Sequence, residues 1–189
     1  MTLYSLVLFV HVTAVVALFA ALSFEVLSLF HLRRAAALSE ARLWMEPLPG
    51  LPLVAMSSML IVFFSGVYLA MRMSAFDLAW PKVTVAAILL MAPLGALTGR
   101  RMRAIRRMCA AAKAINPDLE GRLRDPFLKV SLGVRIAVFL GILLLMAAKP
   151  EFWESTSIVG TSVVLGLLLS LLPWRRTGSL SATSADLRE

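Results

Sequence analysis

"VHVTAVVALFAALSFEV", residues 10–26, is apolar along nearly its whole length, yet it carries His11 and Glu25. A run of this kind reads as part of a membrane-spanning helix. A histidine and a carboxylate inside such a helix are costly, so each needs a partner or a task. The two residues lie 14 positions apart. At helical periodicity they share roughly one face but stand about 21 Å apart along the axis, so they cannot touch.

The apolar block around this stretch, 3–30, is long enough that it must tilt or project from a bilayer. Four further blocks follow, at 51–71, 81–98, 127–148 and 156–172. The last is short and interrupted by Gly160 and Gly166. The chain has 189 residues, of which 60% are hydrophobic and 16% charged, against about 45–50% apolar for a soluble domain. No polar stretch is long enough for a second domain. The reading is therefore an all-α polytopic integral membrane helix bundle with five transmembrane helices. It forms a single transmembrane domain over 1–174, with a cytoplasmic basic loop at 99–126 and a disordered cytoplasmic tail at 175–189. The first block exceeds the core of a signal peptide and lacks a basic leader, so no cleavable signal is expected. The lone Cys109 excludes an intramolecular disulfide.

Net charge is +8, and its placement sets the topology better than it points to nucleic acid. Arg33, Arg34 and Arg42 lie in the first connection; Arg100, Arg101, Arg103, Arg106, Arg107, Lys113, Arg122, Arg124 and Lys129 in the third; Arg175, Arg176 and Arg188 in the tail. These 15 share one side, against Arg72, Lys82 and Lys149 on the other. The positive-inside bias then puts the N-terminus outside and the C-terminus in the cytoplasm. Tyr4, Tyr68, Trp80 and Trp153 fall near the outer interface, and Trp44 and Trp174 near the inner one. The cluster Arg100, Arg101, Arg103, Arg106 and Arg107 is a candidate for anionic lipid headgroups. The same run also serves as a plain topology signal. It extends the third span as a helix, which "NPD" at 116–118 is expected to end, while "RDPF" at 124–127 starts the fourth span with Asp125 as N-cap and Pro126 in the first turn.

Small residues recur every four positions at Gly133/Ala137/Gly141 and at Ser162/Gly166/Ser170. Such rows let helix backbones approach closely. They fit packing of spans four and five on each other, or a homodimer. Pro93 is expected to kink the third span.

Counting from the cytoplasmic ends, Glu25 lies about 12 Å before Arg33 and Arg135 about 12 Å past Phe127. The equal depth predicts an intramembrane ion pair between Glu25 and Arg135. His11 has no partner by depth. Met71, Met73 and Lys82 are its candidate companions in a ligand or metal site, with a hydrogen-bonded packing role as the plainer reading. His31 lies about 30 Å further along the same helix, so one chain cannot bring both histidines to one haem. The sequence has no HExxH, CxxC, phosphate loop or Gly-x-Ser-x-Gly. A non-enzymatic role is expected.

"LYSLVLFVHVTAVVALF" (3–19) resembles the first span of a group of small bacterial membrane proteins with one histidine near its outer end. The group includes CopD-like copper-resistance proteins, HemJ-type protoporphyrinogen oxidases and an uncharacterised family. "FFSGVYLAMR" (63–72), "WPKVTVAAILLMAPLGALTGRRMR" (80–103) and "RIAVFLGILLLMAAKP" (135–150) resemble later spans of the uncharacterised family. The HemJ-type resemblance implies haem held by His11 and a histidine of a later span, but the third span here has none. The CopD-like resemblance implies copper at His11 and the nearby methionines. The uncharacterised family implies no activity. A ligand-binding membrane protein, an accessory protein packed on a partner and a haem-binding oxidoreductase all stand as expectations.

Overall fold

A computed structural model describes residues 2–35, 37–45, 50–114 and 116–172; Trp174, the arginines of the tail and the disorder expected there lie outside the described residues. The described residues form α1 Leu3–Leu32, α2 Leu38–Met45, α3 Leu51–Arg72, a 3-10 turn Ala75–Asp77, α4 Ala79–Ala111, α5 Pro117–Leu123, α6 Pro126–Ala148 and α7 Phe152–Leu171. Five segments are long and apolar enough to cross a membrane: α1, α3, α4, the stretch from α5 through α6, and α7.

Caps explain several boundaries. Thr2 opens α1 by accepting from the Ser5 amide, and Asp125 opens α6 by accepting from the Phe127 amide at 2.9 Å. The fifth helix begins at Phe152, four residues earlier than its apolar block, because Glu151 and Glu154 form a reciprocal capping box there. Polar capping turns are invisible to a count of apolar residues. α4 stops at Ala111, and Asn116 of the "NPD" stretch caps the start of α5, accepting from Leu119 N at 2.8 Å. That motif therefore starts a helix instead of ending one, since asparagine followed by proline is an N-terminal signature as much as a stop. α2 and α5 carry too few apolar residues to register as spans. Pro93 lies inside α4, which remains one continuous helix through it.

α1 packs along α3, and α6 along α7; α4 touches α3, α6 and α7 and joins the two pairs, with α1 also reaching α6. Leu22, Leu29 and Leu32 of α1 meet Leu128, Leu132, Val138 and Ile142 of α6 in the core. The helices' other faces carry a coat of exposed Leu, Val and Phe side chains, as a lipid-facing surface requires. One end of the bundle holds Tyr4, Met73, Trp80 and the α6–α7 turn, and is called the N-terminal end below. The other is the basic end.

The α6–α7 seam is the closest approach. A Cβ on Gly166 would lie 2.6 Å from Val134 Cα, one on Gly133 2.9 Å from the Gly166 carbonyl oxygen, and one on Gly141 against the Ser162 hydroxyl. The two small-residue rows thus face each other within one chain. Ser162 and Ser170 donate to the Ile158 and Leu167 carbonyls of their own helix, so no hydroxyl is stranded in the seam. Gly160 has nothing within 4 Å of an added Cβ. Gly166→Ala is expected to lower stability by about 1–3 kcal/mol through overpacking, read as a lower thermal midpoint in detergent. Gly160→Ala should hold or raise that midpoint.

Candidate functional site

Polar side chains meet at three levels of the bundle. At the basic end, arginines satisfy backbone. Arg42 of α2 donates to the carbonyls of Cys109 and Ala112 at 3.1 and 2.8 Å, capping the end of α4. Arg33 donates to the Asp125 carbonyl at 3.0 Å. Burial pushes the Arg33 guanidinium below its ordinary value, against the opposite pull of the Asp125 carboxylate. Trp44 stacks flat on His31, ring centroids 3.8 Å apart. Within the basic cluster, Arg101 bonds the Asp125 carboxylate and lies over the Phe127 ring. Arg100, Arg103 and Arg107 are exposed, and Arg106 is half-buried. Asp125 is therefore a node: it caps α6, holds Arg101 and receives Arg33. Sequence reasoning found its cap but neither arginine, because both lie far away in sequence. It also missed Arg42, whose capping of α4 has no local signature.

In the middle of the basic half, Arg135 makes two parallel bonds to Glu25, Nη1–Oε1 at 3.0 Å and Nη2–Oε2 at 3.1 Å. The side chains are only 10% and 18% exposed. The guanidinium stem passes Gly95 of α4, where an added Cβ would sit 3.9 Å from Nε. One turn further toward the basic end, Ser131 donates to the Thr98 hydroxyl at 2.6 Å while Thr98 donates to the Leu94 carbonyl at 2.9 Å. α1, α4 and α6 are thus joined by a bidentate ion pair and a hydroxyl chain.

In the N-terminal half, His11 is 7% exposed. Its Nδ1 lies 2.9 Å from Ser65 Oγ on α3. Ser65 gives its one proton to the Ile61 carbonyl, so the network assigns Nδ1–H as the donor to Ser65. The ring sits over Gly66, where a Cβ would lie 3.2 Å from Cε1. Gly66 is what lets α1 and α3 close over the imidazole. The other side of this α3 stretch lines a half-open cavity of about 40 Å³ between α3, the 3-10 turn, α4 and α6, whose walls include Val62, Gly66, Phe76, Trp80, Thr84 and Met146.

The expected companions of His11 do not converge on it. Met73 Sδ accepts from the Tyr4 hydroxyl at 3.6 Å, and Tyr4 precedes His11 by about two turns. Met71 is 63% exposed. Lys82 is exposed, off the face that buries Pro81 and Thr84. Among the described residues no three His, Cys, Asp or Glu side chains gather where a metal would sit. The residues around His11 therefore do not fit a copper site built with Met71 and Met73. The cavity is far below the several hundred cubic ångströms of a cofactor pocket, so haem does not fit it either.

Replacing Glu25 by Leu or Arg135 by Met alone is expected to destabilise by about 3–5 kcal/mol, because each strands a charge in the bundle. The double variant should recover most of that loss, as thermal unfolding of all four proteins in detergent would read.

No protein-family model matches this chain, and neither does any curated protein or solved structure.

Proposed function

We propose that the chain is a multi-pass protein of the bacterial cytoplasmic membrane, with its basic end in the cytoplasm, and that it binds a small ligand within the membrane without catalysing a reaction. The site is the N-terminal half, around the His11–Ser65 pair and the adjoining cavity. The observation that carries the reading is that Gly66 belongs to both: its Cα supports the imidazole, and its backbone lines the cavity. A ligand entering the cavity therefore presses on the same turn of α3 that fixes His11. The basic end supports the orientation, since Arg100, Arg103 and Arg107 are exposed where anionic headgroups would meet them.

Val67→Phe fills the cavity from α3. In native mass spectrometry of detergent-purified protein, the wild type is expected to retain a bound small-molecule or lipid mass that this variant loses. Identical spectra for the two proteins would sink the reading in favour of a purely structural accessory role. Ser65→Ala leaves His11 Nδ1–H without its acceptor. It should cost about 1–3 kcal/mol, measured as a fall in thermal midpoint, and ligand should recover part of the loss by mass action.

A further inference from the structure

Many hydroxyls on the helices of this protein give their proton to the preceding turn. Ser23 bonds Phe19 O, Thr98 bonds Leu94 O, Thr156 bonds Phe152 O and Ser162 bonds Ile158 O. This is the ordinary fate of Ser and Thr where no water competes. Thr84 departs from it. Its residue is 5% exposed, and its Oγ1 is buried with no hydrogen-bond partner. Trp80, one turn earlier on the same face of α4, has its indole Nε1–H buried and equally without an acceptor. Both residues line the cavity beside Gly66. Two orphaned donors at one wall of an otherwise apolar cavity are costly unless something accepts from them.

We propose that this cavity holds an acyl-ester carbonyl of a membrane lipid, with Trp80 Nε1–H and Thr84 Oγ–H as the two donors to its oxygen. The proposal rests on the ligand-binding reading above and names its ligand class. A carbonyl oxygen has two lone pairs and can accept from both groups. The donors stand on the first turns of α4, at the Trp-bearing end, where aromatic residues meet the headgroup level of a bilayer. From Trp80 the lining continues to Ile88, about 12 Å deeper along α4, with Val62, Val85 and Met146 offering apolar surface to the start of an acyl chain. The lining contains no cationic side chain. A free fatty acid would leave its carboxylate unpaired there, which favours the neutral ester.

The test compares a diester phospholipid with the diether of the same headgroup and chains, and with the free fatty acid, by native mass spectrometry titration of the full chain. Photo-cross-linking with an alkyl-diazirine ester lipid locates the site. The ester should bind more tightly than the ether and the free acid, and its label should map to α3 and α4. Thr84→Val and Trp80→Phe remove one donor each, and since neither donor is bonded within the protein, both variants should keep their thermal midpoints. Each should weaken ester binding about 3- to 10-fold while leaving ether binding unchanged. Equal binding of ester and ether, or unchanged ester binding in both variants, overturns the proposal, as does preference for the free acid. Val67→Phe separates the two levels of inference. If it weakens ester and ether lipids alike while the donor variants do nothing, the cavity is a ligand site and only the carbonyl assignment falls. If it changes neither lipid, the ligand-binding reading falls as well.

Discussion

The bidentate bond between Arg135 and Glu25 is the constraint around which the rest of the bundle is arranged. Two charges taken out of water cost several kcal/mol each, and only close, doubly bonded geometry recovers that cost. The 3.0 and 3.1 Å bonds meet this condition, and meeting it fixes α1 against α6 in both depth and rotation. A slip of one residue would swing either side chain about 100° out of reach. α4 must then pass beside the guanidinium, and it does so at Gly95, where even an added Cβ would make an ordinary contact. The Thr98–Ser131 bond lies one turn below on the same α4–α6 seam and adds a second point of register.

With α6 fixed, α7 has only one close way to lie on it. Gly133, Gly141 and Gly166 bring the two backbones so near that any side chain at Gly166 would strike backbone atoms. The turn between them is correspondingly short, with Lys149 in the left-handed region at φ 50° closing α6 and Glu151 capping α7. On the far side, α3 depends on α1 through a different device. The imidazole of His11 replaces the missing side chain of Gly66, and Ser65 supplies the acceptor. The bundle is thus two tight pairs, one joined by glycine backbone contact and one by a histidine over a glycine, with α4 between them.

Much of this was legible in the sequence because bilayer physics acts on sums. Five apolar blocks, a charge asymmetry and a depth count need no knowledge of packing, and the depth count sets Glu25 and Arg135 at one level. Those two residues do meet. Rotation is the variable that depth leaves open, and it explains what was not legible. Met73 and His11 belong to the same half, yet Met73 turns to Tyr4. Lys82 has a suitable depth but lies off the buried face of α4. The partner of His11, Ser65, is an uncharged hydroxyl of a kind that occurs throughout the spans, so no rarity marked it. Arg42 and the double use of Asp125 depend on short helices too polar to stand out in hydropathy.

The two ends of the bundle use their polar groups differently. At the basic end, Arg33 and Arg42 terminate on backbone carbonyls and Arg101 on the Asp125 carboxylate. These bonds hold the ends of α4 and α6, and they are complete within the protein. In the N-terminal half, the hydrogen bonding is incomplete. Two buried donors on α4, Trp80 Nε1–H and the Thr84 hydroxyl, find no acceptor, although a χ1 rotation of Thr84 toward the carbonyl one turn back would be the usual remedy. On the lipid-carbonyl proposal, an acceptor supplied from outside the chain would remove the penalty of these two donors, and the mostly apolar wall around them would favour an acceptor carried on an apolar frame.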